Sequence, residues 1–303
     1  MAYKDTDFMY ASARVSVFET KLLTKEKYMQ LIDAAAEADA VALLADAVTP
    51  VYTDGAFDIE ATLEGLLDTA FSEVAKSIPS PKLFDFMRYE YDANNLKAAI
   101  KAKVGGISAD GMLFACGTAA PEAAVAAVES GEYKAFPKHM AAAAPKALAA
   151  YAAAHDPQAI DLVIDRAAFA DMLDAAAADE SLAAAVRLRI DAINVQTAVR
   201  MLDAGKPAGL SAMLLEGGNL PVGTFKAADR AALAEALGEK NAKAAVLLAD
   251  PDASLAAIGL AAETQLGAGT GAQFVPFGLT KIYAYLSAVQ REAKNLRVIF
   301  ALR

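Results

Sequence analysis

The sequence predicts an all-α fold, and three observations predict it. Close to a quarter of the 303 residues are alanine. Alanine is the best helix former, with leucine, glutamate and lysine close behind, while β-branched residues are comparatively few. Strand-like alternation is hard to find. Finally, one helical pattern centred on asparagine returns three times along the chain.

Taken in order, Ser12 to Leu23 and Lys25 to Ala47 read as two helices separated near Thr24, which is placed to cap the second. Pro50 to Phe57 reads as a turn, Ile59 to Ser77 as a long helix ending at IPSPK, and Lys82 to Lys103 as a helix stopped by Gly105-Gly106. Pro121 to Asp156 is the most alanine-rich part, and HMAAAAPKALAAYAAAHDP predicts two short helices hinged at Pro145. PVYTD and GNLPVGTF are the only candidates for extended structure, and both read better as loops.

The repeated pattern is YDANNLKAAI around Asn95, DAINVQTAVR around Asn194 and EAKNLRVIFA around Asn295. Each asparagine follows an acid by three residues: Asp92, Asp191 and Glu292. Each precedes apolar residues at +1 and +5, which stack as an i, i+4 pair beside the acid–Asn face. Arg88 and Arg187 lie four residues before the first two acids, giving a polar row Arg–acid–Asn, whereas the third copy has Ala288. Asparagine is a mediocre helix former, so the pattern points to a polar row that bonds a neighbouring segment. The copies are 99 and 101 residues apart. That spacing predicts three similar units of domain size, with approximate boundaries at residues 1–115, 116–217 and 218–303 and termini able to pack together.

The match extends past the helices. GISADGMLFACGT follows the first and AGLSAMLLEGG the second, pairing Gly117 with Gly217. A looser echo joins DRAAFADML (Asp165 to Leu173) and DRAALAEAL (Asp229 to Leu237).

Net charge is −10 with a pI near 4.8, and no basic stripe is visible, which argues against a nucleic-acid binder. Mean hydropathy is +0.30, but alanine supplies most of it, and no stretch offers the roughly 20 apolar residues of a membrane span. The N-terminus is acid-rich and lacks the apolar core of a signal peptide. The single cysteine, Cys116, excludes an internal disulfide and reads as a small core residue.

No pattern of reactive residues suggests catalysis. His139 and His155 have no metal-ligand spacing and read as solvated or capping residues. No phosphate-binding P-loop is present, and QLGAGTGAQ, with Gly267, Gly269 and Gly271, lacks the strand that a dinucleotide loop requires, so it reads as a loop between units. Asp161, Asp165, Asp171 and Asp174 read as a solvated helix face. The expectation is a protein without an active site and without a cofactor.

Taken together, YASARVSVFETKLLT, YDANNLKAAIKAK, DRAAFADML with RIDAINVQTAVR, LLEGGNLP and PFGLTKIYAYLSAVQREAKNLRVIF resemble the C-subunit family of V-type (A/V-type) ATPases, whose member in eukaryotic vacuolar enzymes is the d subunit. The motifs keep the family's order, and the chain length and absence of targeting signals match its bacterial and archaeal form. The resemblance implies a three-domain helical funnel on the cytoplasmic face of the membrane. It implies rotor-stalk subunits of the D and F type and the c-type proteolipid ring as partners, and a non-catalytic role in coupling ATP synthesis or hydrolysis to H⁺ or Na⁺ transport. A helical protein-binding scaffold unrelated to ATPases is the alternative. The basic C-terminal helix, with Lys281, Arg291, Lys294 and Arg297, is the candidate partner contact.

Overall fold

The computed structural model describes residues 3–250, 252–255, 257–259, 261–262 and 277–302. The structure is 71% helical, with two short strands among the described residues, so the fold is all-α. The glycine-rich QLGAGTGAQ loop lies outside the described residues.

Two compact units are distinguished by their internal packing. The first combines residues from both ends of the chain: Met1–Asp85, Phe114–Cys116 and Gln273–Arg303. It contains α1 (Met9–Glu19), α2 (Lys25–Asp33), α3 (Glu37–Leu44), the strands β1 (Tyr52–Thr53) and β2 (Ala56–Phe57), and α4 (Ile59–Ala75). The second unit, Phe86–Leu113 and Gly117–Ala272, contains α5 (Tyr89–Gly105), α6 (Pro121–Ser130), α7 (Lys138–Ala154), α8 (Pro157–Ala176) and α9 (Glu180–Asp203). It continues with the short α10 (Leu210–Met213), α11 (Arg230–Leu237) and α12 (Ala242–Leu248). The C-terminal helix α13 (Leu279–Ala301) belongs to the first unit, where it packs on α1 and α4.

Helix starts follow the capping rules closely. Thr24, Asp58, Asp156, Asp179 and Asp229 each accept a first-turn backbone N–H of the helix they begin. Gly106 and Gly131 end α5 and α6 in the left-handed conformation, and His155 ends α7 at φ 52°. His155 is thus both exposed and the C-cap of α7, in keeping with a solvated or capping histidine.

Three local expectations are corrected. The segment from Lys25 to Ala47 is two helices, α2 and α3, interrupted at residues 34–36. Pro50 to Phe57 holds a small antiparallel hairpin, Tyr52 opposite Phe57, turned by Asp54 and Gly55 at φ 52° and 83°. An Asp-Gly pair is the favoured sequence for that two-residue turn. Pro145 does not hinge two helices: α7 runs unbroken from Lys138 to Ala154 with Pro145 inside it. A proline removes one N–H and crowds the carbonyl four residues back, yet a helix packed along its length on α8 keeps its other bonds.

One core of the second unit gathers Val195 and Val199 of α9, Leu210 of α10, Leu233 and Leu237 of α11, Leu248 of α12, and Phe225. Phe225 is fully buried at the end of a short 3-10 turn, Val222–Phe225, before α11, where it fills the space between these helices. Replacing Phe225 by Ala should cost about 3–5 kcal/mol of that unit's stability, read by chemical denaturation. A loss below about 1 kcal/mol would mean that Phe225 does not organise this core.

Candidate functional site

The acid–Asn pairs of α5 and α9 are buried. Asp92 on α5 is fully buried, and its two carboxylate oxygens accept the Ala119 backbone N–H at 3.0 Å and the Thr118 hydroxyl at 2.6 Å. Asp191 on α9 does the same with two backbone N–H groups, those of Asn219 at 3.0 Å and Leu220 at 3.1 Å. Each carboxylate therefore grips the loop that follows its own helix and its short downstream turn. A glycine lets that loop approach: a Cβ at Gly117 would collide with Asp92, and a Cβ at Gly218 with Asp191. The equivalent of Gly117 is thus Gly218, not Gly217, which instead sits at φ 92° against Leu173 and Ile190.

Asn194 works beside Asp191. Its amide donates to the Leu215 carbonyl at 2.9 Å and its oxygen accepts the Leu215 N–H at 2.8 Å. The side chain so pairs with a loop residue as a neighbouring strand would. Asn95 is equally buried on α5.

The third copy departs. Glu292 on α13 is buried and accepts a single backbone N–H, that of Leu23 at 2.6 Å, 269 residues away. Asn295 is exposed where Asn95 and Asn194 are buried, so the expectation of three equally placed asparagines is corrected there. The arginines diverge too. Arg88 donates to the Gly117 carbonyl, adding a third hold on the loop that Asp92 grips. Arg187 instead pairs with Glu180 on its own helix.

A fourth carboxylate escapes the sequence reading. Asp171 on α8 reads as part of a solvated face, but it is buried and accepts the His139 and Met140 N–H groups at 2.8 Å each, closing the start of α7. A signal exists: Ile164, Ala168 and Asp171 share one apolar stripe at i, i+4, i+7. Its neighbours are engaged as well, Asp161 with Lys101, Asp165 with Lys97, and Asp174 with His139. The DRAAF/DRAAL echo does not carry one role, because Asp165 lies mid-helix while Asp229 caps α11.

Burial pushes the pKa of Asp171, Asp191 and Glu292 up, and the backbone N–H groups only partly offset it. Tyr28 and Tyr285 are pushed up to about 12, first by burial and then by the negative charge of Glu292. These shifts are those of a desolvated polar framework. Among the described residues no group of His, Cys, Asp and Glu is arranged to hold a metal ion, and Cys116 is a buried free thiol.

The basic C-terminal helix is partly committed inside its own unit. Lys281, 13% exposed, pairs with Glu19 at 2.8 Å. Arg297 forms a bidentate pair with Glu60 at 2.7 Å and lies over the Phe114 ring. Arg291 and Lys294 are exposed, and Lys294 too is engaged by a neighbour.

The fold is all-helical, and its buried carboxylates hold the chain's own loops and helix starts. The family model described as ATP synthase (C/AC39) subunit matches residues 11–302, so the chain belongs to that family. It is similar to the C subunit of the A-type ATP synthase of Thermococcus kodakarensis, with 26% identity over 248 residues, covering 73% of this chain and 64% of the relative. Shorter matches, also 26% identical, join it to the proteins of the same name from Thermococcus gammatolerans (39% of this chain, 34% of the relative) and Desulfurococcus sp. (40% and 35%). In each case the chain spans less than two thirds of the relative's length.

Two outcomes are expected from the carboxylate geometry. Asp191→Ala leaves the Asn219 and Leu220 amides without their acceptor and should cost about 1–3 kcal/mol; Gly218→Ala should cost a similar amount by pushing the loop off. Wild-type stability in both would show that the grip is dispensable. The pH dependence has a defined sign. A carboxyl whose folded pKa is raised favours folding when protonated, so its stabilisation is full below the unfolded pKa of about 4 and is lost as pH rises through the folded value. Denaturation across that window should therefore show a component that falls with rising pH, and Asp191→Asn should remove part of it. An unchanged pH profile in that variant would contradict the assignment.

Proposed function

We propose that the chain is a non-catalytic central-stalk subunit of an A/V-type rotary ATP synthase. In this reading it sits on the cytoplasmic face of the membrane and joins rotor-stalk subunits of the D and F type to the c-type proteolipid ring, for H⁺ or Na⁺ transport. The family match over residues 11–302 carries the reading, and the name shared by three relatives supports the kind of complex. It also takes the ground from a scaffold unrelated to ATPases. No helix among the described residues is long and apolar enough to cross a membrane, which is compatible with a peripheral position.

Three units bounded near residues 1–115, 116–217 and 218–303 are part of the proposal. The parallel grips of Asp92 and Asp191 support the kinship of two of them. A coupling part must pass torque without yielding, and rigid helices locked by buried polar contacts suit that task. Arg291 and Lys294, the exposed cations of α13, are the proposed contacts to acidic partner groups; such pairs weaken with salt.

Pull-downs of purified stalk and ring components should recover the chain at low ionic strength and less at high, and Arg291→Glu/Lys294→Glu should weaken recovery. The purified chain alone should show no saturable ATP hydrolysis. Failure to bind either component at any salt would remove the reading. Binding untouched by the double reversal would discard only the contact residues.

A further inference from the structure

Residues 33–60 hold seven acids and not one lysine or arginine. They build α3, the β1–β2 hairpin and the start of α4, all within the first unit. One side of α3 presents Ala38 and Ala42, one turn apart and exposed, with Val41 between them. The hairpin stands opposite. Its Asp54-Gly55 turn sets Tyr52 across from Phe57, with ring centroids 6.1 Å apart, and Phe57 leans on Phe300 of α13 at 5.2 Å. Between helix and hairpin lies a groove of about 430 Å³, floored by the alanines, walled by the two aromatic rings, and lined also by Glu37.

The acids of this segment fall into two classes. Asp46 pairs with Lys27, Asp58 caps α4, and Glu60 holds Arg297. Among the described residues no cation pairs with Asp33, Glu37, Asp39 or Asp54. An exposed apolar floor of small residues admits another helix closely, and an unneutralised Glu37 on its lining, in a segment without lysine or arginine, favours a partner of positive charge. Anionic lipid is disfavoured by the same acids.

We propose that this groove docks a basic amphipathic helix of a partner protein. Its apolar stripe seats between α3 and the hairpin, against Ala38, Ala42, Tyr52 and Phe57. Its flanking lysines or arginines meet Glu37 on the groove lining, within the field of the other acids of the segment. The wall is preformed, because the hairpin turn and the Phe57–Phe300 contact fix it, so little ordering is required on docking. The inference concerns the chemistry of the surface and does not depend on which assembly the chain joins.

The probe is a fluorescently labelled synthetic helix with a leucine stripe flanked by lysines, compared with a copy bearing glutamates in place of the lysines. By fluorescence anisotropy on the full chain, the lysine peptide should bind saturably and more weakly as salt is added, and the glutamate peptide should not bind. Ala42→Glu is the decisive variant. It adds a negative charge at the floor, on an exposed helical position where glutamate is well tolerated, and a thermal melt verifies the fold. Seating in the groove would bury that carboxylate, so affinity should fall about tenfold or more. Glu37→Lys/Asp39→Lys should weaken binding to a similar degree. Equal or tighter binding to the Ala42→Glu variant would show mere charge attraction and overturn the proposal, as would no binding of the lysine peptide. A wild-type dimer in sedimentation that Ala42→Glu dissociates would also overturn it, assigning the groove to a second copy of the chain.

Discussion

The structure depends on carboxylates that have left water to hold backbone. Asp92, Asp171, Asp191 and Glu292 are all buried, and each accepts an N–H from a segment distant in sequence. Desolvating a carboxylate is costly, and such a group persists inside a protein only where hydrogen bonds replace the lost water. Among the described residues every buried side-chain nitrogen or oxygen has a partner, so that condition is met. The consequence is specificity of a kind that alanine and leucine cannot supply. An apolar loop can slide on an alanine-rich helix, but two N–H groups facing two carboxylate oxygens fit in one register only.

That constraint is instructive in a chain so rich in alanine. Small side chains give helices that pack closely but with little relief, and their contacts discriminate poorly between neighbouring registers. The glycines opposite Asp92 and Asp191 show the same economy from the loop's side, since the backbone itself comes to the carboxylate. Ion pairs add further stitches, with Lys97 and Lys101 of α5 reaching Asp165 and Asp161 of α8. These are half-exposed pairs of modest worth and refine an arrangement already set by the buried grips.

Much of this is legible in the sequence, for reasons that particular residues make plain. Helix content follows from composition and period, and the asparagine spacing exposes Asp92, Asp191 and Glu292 before any coordinates. The failures have physical causes. The hairpin at Tyr52 and Phe57 has two residues per strand, too few for alternation to register. The partner of Lys281 is Glu19, 262 residues away, and that of Arg297 is Glu60, so a helix that reads as a basic patch is partly neutralised by contacts no local pattern reveals. Asp171 is hidden among acids that do face outward, although its place on an apolar stripe distinguishes it. Asn295 shares its neighbours in sequence with Asn95 and Asn194, but it faces outward, and a side chain's surroundings are set by what packs on it.

The most direct test is amide hydrogen exchange at the gripped positions, resolved by residue. If the carboxylates hold these loops, the Ala119, Asn219 and Leu220 amides exchange slowly despite lying outside helices. Asp92→Ala then releases Ala119 alone and Asp191→Ala releases Asn219 and Leu220, with helical amides elsewhere unchanged. Rapid exchange at these positions in the unaltered chain would contradict the account.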